Sequence, residues 1–142
     1  MDIERKFELS LHAYFRGFIS SNVAVVDEEC EEDLETPTVA FYNTLEQTYP
    51  LELGGNFRDS FFWRVECYCN TRTERDVLGR QIYNALKCNI PVLDFDLPDT
   101  LPQLGTLICT NLTKQSVIVP TEYTDKLRYR TVIAFKTVFQ ED

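Results

Sequence analysis

The chain has 142 residues, 44% of them hydrophobic and 26% charged, which is one domain's worth of ordinary globular composition. That excludes a collagen-like, a membrane-spanning or a wholly disordered chain. Fourteen Lys and Arg against 23 Asp and Glu give a formal charge of −9, which argues against a broad basic face gripping nucleic acid phosphates.

The elements are taken in chain order. Met1–Lys6 mixes charges and then turns periodic, which does not read as a signal peptide. Ile3, Phe7, Leu11, Tyr14, Phe15 and Phe18 recur at helical spacing and predict an amphipathic helix over 3–19. Val23–Val26 is a short β-prone run, and Pro37 opens another, Thr38–Tyr42. Between them lies the acidic segment, and the three together predict a hairpin with a long tip. Residues 44–60, with Pro50 and Gly54-Gly55-Asn56, read as a long connecting loop, a kind that is usually functional or mobile.

Phe61–Cys69 is the clearest strand. Phe61, Trp63, Val65, Cys67 and Cys69 form an apolar face, and Phe62, Arg64, Glu66 and Tyr68 a mixed one. Thr71-Arg72-Thr73-Glu74 is a capping box that opens a helix over 72–87, with Leu78, Ile82, Ala85 and Leu86 as its buried stripe and Pro91 as its stop. Pro91–Leu97, Leu104–Asn111 and Val117–Val119 read as short or weak strands, and Leu127–Phe139 as a long alternating one. Strands without regular helical crossovers predict an α+β domain, a mostly antiparallel sheet packed against two helices.

Candidates for chemistry are few. His12 is the single histidine, so Cys/His pairs and histidine metal sites lack material, and it reads as a boundary side chain. Gly54-Gly55 has neither phosphate-loop spacing, and no serine sits in a nucleophile elbow. Five cysteines in no framework-like spacing suit a reducing cytosol. Cys67 and Cys69 point to one strand face, where a zinc site would need two more thiolates such as Cys88 and Cys109. The plainer reading makes them small core hydrophobes. No catalytic residue, metal or cofactor is implied.

Seven acids, Asp27, Glu28, Glu29, Glu31, Glu32, Asp33 and Glu35, fall in nine residues that hold no base. Without them the chain carries 16 acids against 14 bases, a net −2. The acidity is therefore local. It fits a solvated loop, a contact for a basic partner such as an adaptor would use, or an oxygen-rich cation site, although the EF-hand order is missing.

The N-terminal helix, the β-hairpin after it, the Leu51-Glu52-Leu53-Gly54 loop, the Phe61–Cys69 strand, the capped helix ending in Asn84-Ala85-Leu86, and the last strand with Arg128-Tyr129-Arg130 near its start form a pattern. Over nearly its full length the chain thereby resembles the tail terminator and head-to-tail joining proteins of tailed bacteriophages. The resemblance implies a non-enzymatic virion protein, assembled in the host cytoplasm and placed at the neck. It would form a ring, commonly a hexamer, that ends the tail tube. Its partners would be further copies of itself, the tail tube protein and a head-completion or connector protein. Genomic double-stranded DNA would pass through the lumen without sequence-specific binding, and no membrane is involved. Candidate subunit or partner contacts, or lumen residues, are Asp27, Glu28, Glu29, Glu31, Glu32, Asp33, Glu35, Leu53, Gly54, Gly55 and Asn56.

Overall fold

The structure is a computed structural model that describes residues 2–20, 22–27, 37–50, 57–120 and 128–141, and of residues 27, 43–50 and 57–59 the backbone alone. The elements are α1 (Ile3–Phe18), β1 (Ala24–Asp27), β2 (Thr38–Pro50), β3 (Phe57–Cys69), α2 (Arg72–Ala85), β4 (Ile90–Leu93), β5 (Gln103–Ile118) and β6 (Tyr129–Glu141). The six strands form one sheet in the order β1-β2-β3-β6-β5-β4. Every neighbouring pair is antiparallel except β1 and β2. The α+β architecture expected from the element order is the one observed.

Both helices cover one face of the sheet. Phe7, Leu11 and Phe15 of α1 and Leu78, Ile82 and Leu86 of α2 are buried against Phe61, Trp63, Val65, Cys67 and Cys69 of β3 and Ile133 and Phe135 of β6. These strand residues are alternate ones, as a sheet covered on one face requires. The helix that carries the capping box begins as the sequence predicts: the Glu74 amide donates to Thr71 Oγ1 at 3.1 Å, and the Thr71 hydroxyl reaches Glu74 Oε1 at 3.3 Å. Where α2 crosses β6 it does so at Gly79, whose Cβ, if present, would lie 2.8 Å from Thr131 Oγ1. The close approach is what a side-chain-free position permits.

Helix α1 also touches both edges of the sheet. Ser10 Oγ accepts from the Leu93 amide of β4, while His12 Nε2 donates to the Val25 carbonyl of β1. Ser10 and His12 are about 200° apart around the helix at nearly one height, so the two edges are separated by about 10–12 Å there. In a flat six-stranded sheet they would stand about 24 Å apart. The sheet therefore curls around α1, and the helix fills the seam.

Four expectations need correction. Val23–Val26 and Thr38–Tyr42 do not form a hairpin: Ala24–Asp27 runs parallel to Thr38–Phe41. The antiparallel side of β2 is taken by β3, which leaves only its other edge to β1. The 44–60 loop is largely strand, with β2 running to Pro50 and β3 starting at Phe57. Pro50 is tolerated as the last residue of a strand that needs no donor there. Pro91 does not stop α2, which ends at Ala85 in a turn closed by the amides of Lys87 and Cys88 onto the Asn84 and Ala85 carbonyls. It lies instead in edge strand β4, where a missing N–H costs least. Finally, Leu104–Asn111 and the first two residues of Val117–Val119 belong to one strand, β5, which ends at Ile118 and is bent by a bulge between Thr110 and Thr113 with Asn111 at φ 56°.

Candidate subunit interface

Glu28, Glu29, Glu31, Glu32, Asp33, Glu35, Leu53, Gly54, Gly55 and Asn56 lie outside the described residues. Asp27 is the last residue of β1, paired with Phe41. The acidic connection thus leaves the sheet at its β1 edge and rejoins it at β2. It links two parallel neighbours.

The described residues present two features suited to contact with another molecule. One is the β2–β3 hairpin. β1 pairs with β2 only as far as Phe41, and β3 pairs with β6 only from Ser60 onwards. Thr48↔Asp59, Tyr49↔Arg58 and Pro50↔Phe57 therefore form a two-stranded end that is not joined to β6, although β6 runs on to Glu141 paired with β5. A free two-stranded hairpin is marginal in water.

The second feature is the sheet face opposite the helices. Tyr42, Arg64, Glu66, Tyr68 and Arg130 come together there because the register sets Tyr42 opposite Arg64 and Tyr68 opposite Arg130. The Arg64 guanidinium lies 4.9 Å from the Tyr42 ring centre, and that of Arg130 lies 4.6 Å from the Tyr68 ring centre. Both tyrosines are buried, packed with Ala40 and Val26 and each with a guanidinium over its ring. Tyr68 donates to Glu66 Oε2 at 2.8 Å, and its hydroxyl lies 3.4 Å from that of Tyr42. Burial first, then the hydrogen bonds to Tyr42 and Glu66, push the Tyr68 hydroxyl far above the ordinary tyrosine range. It acts as a fixed neutral donor. Arg64 Nε stands 4.0 Å from Glu66, an ion pair at the limit of contact. Arg130 Nε is buried and has no hydrogen-bond partner among the described residues.

Sequence reasoning placed Arg64, Glu66 and Tyr68 on the mixed face of their strand and singled out Arg128-Tyr129-Arg130, but it did not unite them. The available signal was the alternation in each strand. The missing one was the register that sets Tyr68 beside Arg130, 62 positions later.

Cys67, Cys69 and Cys109 are held as protonated thiols. Cys67 and Cys69 are fully buried in the main core. Desolvation pushes the thiol of Cys67 far up, and pushes those of Cys69 and Cys109 to about 12. A nucleophilic or metal-binding thiol needs the opposite shift. Among the described residues no three His, Cys, Asp or Glu side chains converge on a metal site. No described helix is long and apolar enough to cross a membrane.

No protein-family model matches this chain, and no curated protein matches it.

Proposed function

We propose that the protein is a structural subunit of a bacteriophage virion, a ring former that ends the tail tube and joins tail to head while DNA passes through its lumen. The reading rests on the resemblance in element order, and the observation that carries it is the β2–β3 hairpin end. A hairpin end that among the described residues pairs with neither β1 nor β6 has backbone groups to satisfy, and in this reading a neighbouring subunit supplies their partners. The acidic connection fits the same role. Repeated once per subunit, its seven acids would sum into a band of negative potential, which keeps passing DNA from adhering if it faces the lumen.

The test is direct. Purified protein is mixed with tail tubes that lack their terminator and examined by negative-stain electron microscopy. Closed rings seated on tube ends are the expected result. Tubes that stay uncapped at saturating protein would reject the reading.

A further inference from the structure

We infer that Cys88 and Cys109 form a dithiol site, which a small-molecule disulfide such as oxidised glutathione closes into an internal disulfide bond. The site lies within one chain and stands apart from the ring reading.

Register is the first argument. β4 and β5 pair as Ile90↔Leu107, Pro91↔Thr106 and Val92↔Gly105. Cys88 stands two residues before Ile90, in the turn that leads from α2 into β4, and Cys109 stands two residues after Leu107. The same antiparallel register, carried past the start of β4, sets the two cysteines opposite each other. Opposite residues in such a ladder have Cα atoms about 4.5–5.5 Å apart, inside the roughly 4.4–6.8 Å that a disulfide spans. Residues two apart on a strand share a face, so Cys109 points with Leu107 toward the helices and packs against the main core. The Tyr14 hydroxyl is the second argument. It donates to the Ala85 carbonyl at 3.0 Å, and the same carbonyl accepts the Cys88 amide at 3.2 Å. Burial first, then Cys88 and after it Cys109, hold this hydroxyl above the ordinary tyrosine range, so both sulfurs lie near one phenol oxygen.

The two thiols differ as a two-step exchange requires. Cys88 is exposed and meets the oxidant, whereas burial pushes the Cys109 thiol up to about 12 and keeps it protonated until the second step. First, the Cys88 sulfur gives up its proton and attacks one sulfur of oxidised glutathione. A mixed disulfide forms, and the glutathione thiolate that leaves takes up the proton. Then Cys109 attacks the Cys88 sulfur, its proton passes to the second departing glutathione, and the internal disulfide is made. Two protein thiols and one small disulfide become one protein disulfide and two small thiols. Closeness to Cys88 substitutes in Cys109 for the low pKa that a thiol attacking from solution needs. The bond ties the end of α2 and edge strand β4 to β5.

Mass spectrometry of the native protein, incubated with oxidised glutathione, quenched with acid and then alkylated in denaturant, tests this. No Lys or Arg lies between Lys87 and Lys114, so trypsin releases both cysteines in one peptide, residues 88–114. The expected peptide is about 2 Da lighter than its reduced form and takes up no alkylating reagent. A second cut at Asp94, Asp96 or Asp99 should leave its halves joined until a reductant is added. A peptide that keeps two alkylatable thiols, or that carries glutathione on Cys88 with Cys109 still free, would overturn the inference. Cys88→Ser, at an exposed position, should abolish closure, and a Cys109 still blocked as a disulfide in that variant would overturn it too. The thermal midpoint gives a second readout: the closed protein should unfold at least as high as the reduced one. A lower midpoint would show that the fold must open before the sulfurs meet, and counts against the pairing.

Discussion

Ser10 and His12, two residues apart on α1, hold opposite edges of one sheet: Ser10 Oγ takes the Leu93 amide at 3.0 Å and His12 Nε2 gives to the Val25 carbonyl at 2.8 Å. Unpaired edge groups invite pairing with other chains, and here one helix occupies both. Ser10→Ala should leave the Leu93 amide partly buried without its acceptor and cost about 1–2 kcal/mol in denaturant unfolding. Amide exchange at Leu93 should accelerate in that variant while Val25-side amides stay protected. His12→Leu should cost a similar amount with the opposite exchange pattern. Uniform acceleration in either variant would contradict separate anchoring of the two edges.

A second anchor of α1 is ionic. Lys6 Nζ lies 3.1 Å from Asp94 and 2.9 Å from Asp96, on the segment just after β4. The hydrogen bonds to Asp96 and Asp94 raise the Lys6 ammonium above its ordinary value, and Lys6 chiefly lowers the Asp96 carboxyl. The raised lysine contributes stability below 10.5 that is lost as pH climbs past it, and the lowered aspartate contributes above 3.8 what is lost as pH falls. Lys6→Met should therefore destabilise by a constant amount across about pH 5–9, with the difference from wild type shrinking at both extremes. Unfolding midpoints from about pH 2 to 11 check it; a difference that does not shrink at either extreme would reject the ion pair as the cause.

Trp63, the single tryptophan, donates from Nε1 to Thr137 Oγ1 at 2.7 Å inside the core. Thr137→Val keeps the shape but strands a buried indole N–H, which should cost about 1–3 kcal/mol. Thr137→Ser keeps the acceptor and should cost less, about 1 kcal/mol for the lost methyl group. Equal losses in the two variants, measured by equilibrium unfolding, would mean that packing and not the hydrogen bond sets the effect.

Shortening the hairpin separates assembly from folding. Replacing residues 48–59 by an Asn-Gly turn removes only strand pairs that are not joined to β6. The thermal midpoint should fall by no more than a few degrees, about what a 1 kcal/mol loss produces. Association, read by light scattering, should drop to the monomer. Rings that survive the deletion would place the contact elsewhere.

How far the sequence could be read follows from which forces act locally. The periodicity of Phe7, Leu11 and Phe15, the Thr71–Glu74 box and the alternation from Phe61 to Cys69 all report interactions within one element, and these gave the helices and the central strand. The parallel direction of β1, the extension of β2 past Tyr42 and the union of Leu104–Asn111 with Val117–Val119 depend on partners far along the chain. Backbone pairing, which every residue type but proline can make, leaves little trace in side-chain pattern when a strand lies outside the core. The Tyr68–Arg130 stack is likewise a product of register.

The central claim is that copies of this chain close into a ring, and native mass spectrometry of the intact protein tests it most directly. The account predicts one dominant closed assembly, a hexamer in the resemblance, at an integer multiple of the 16.6 kDa subunit. A single 16.6 kDa species persisting at high protein concentration would contradict it.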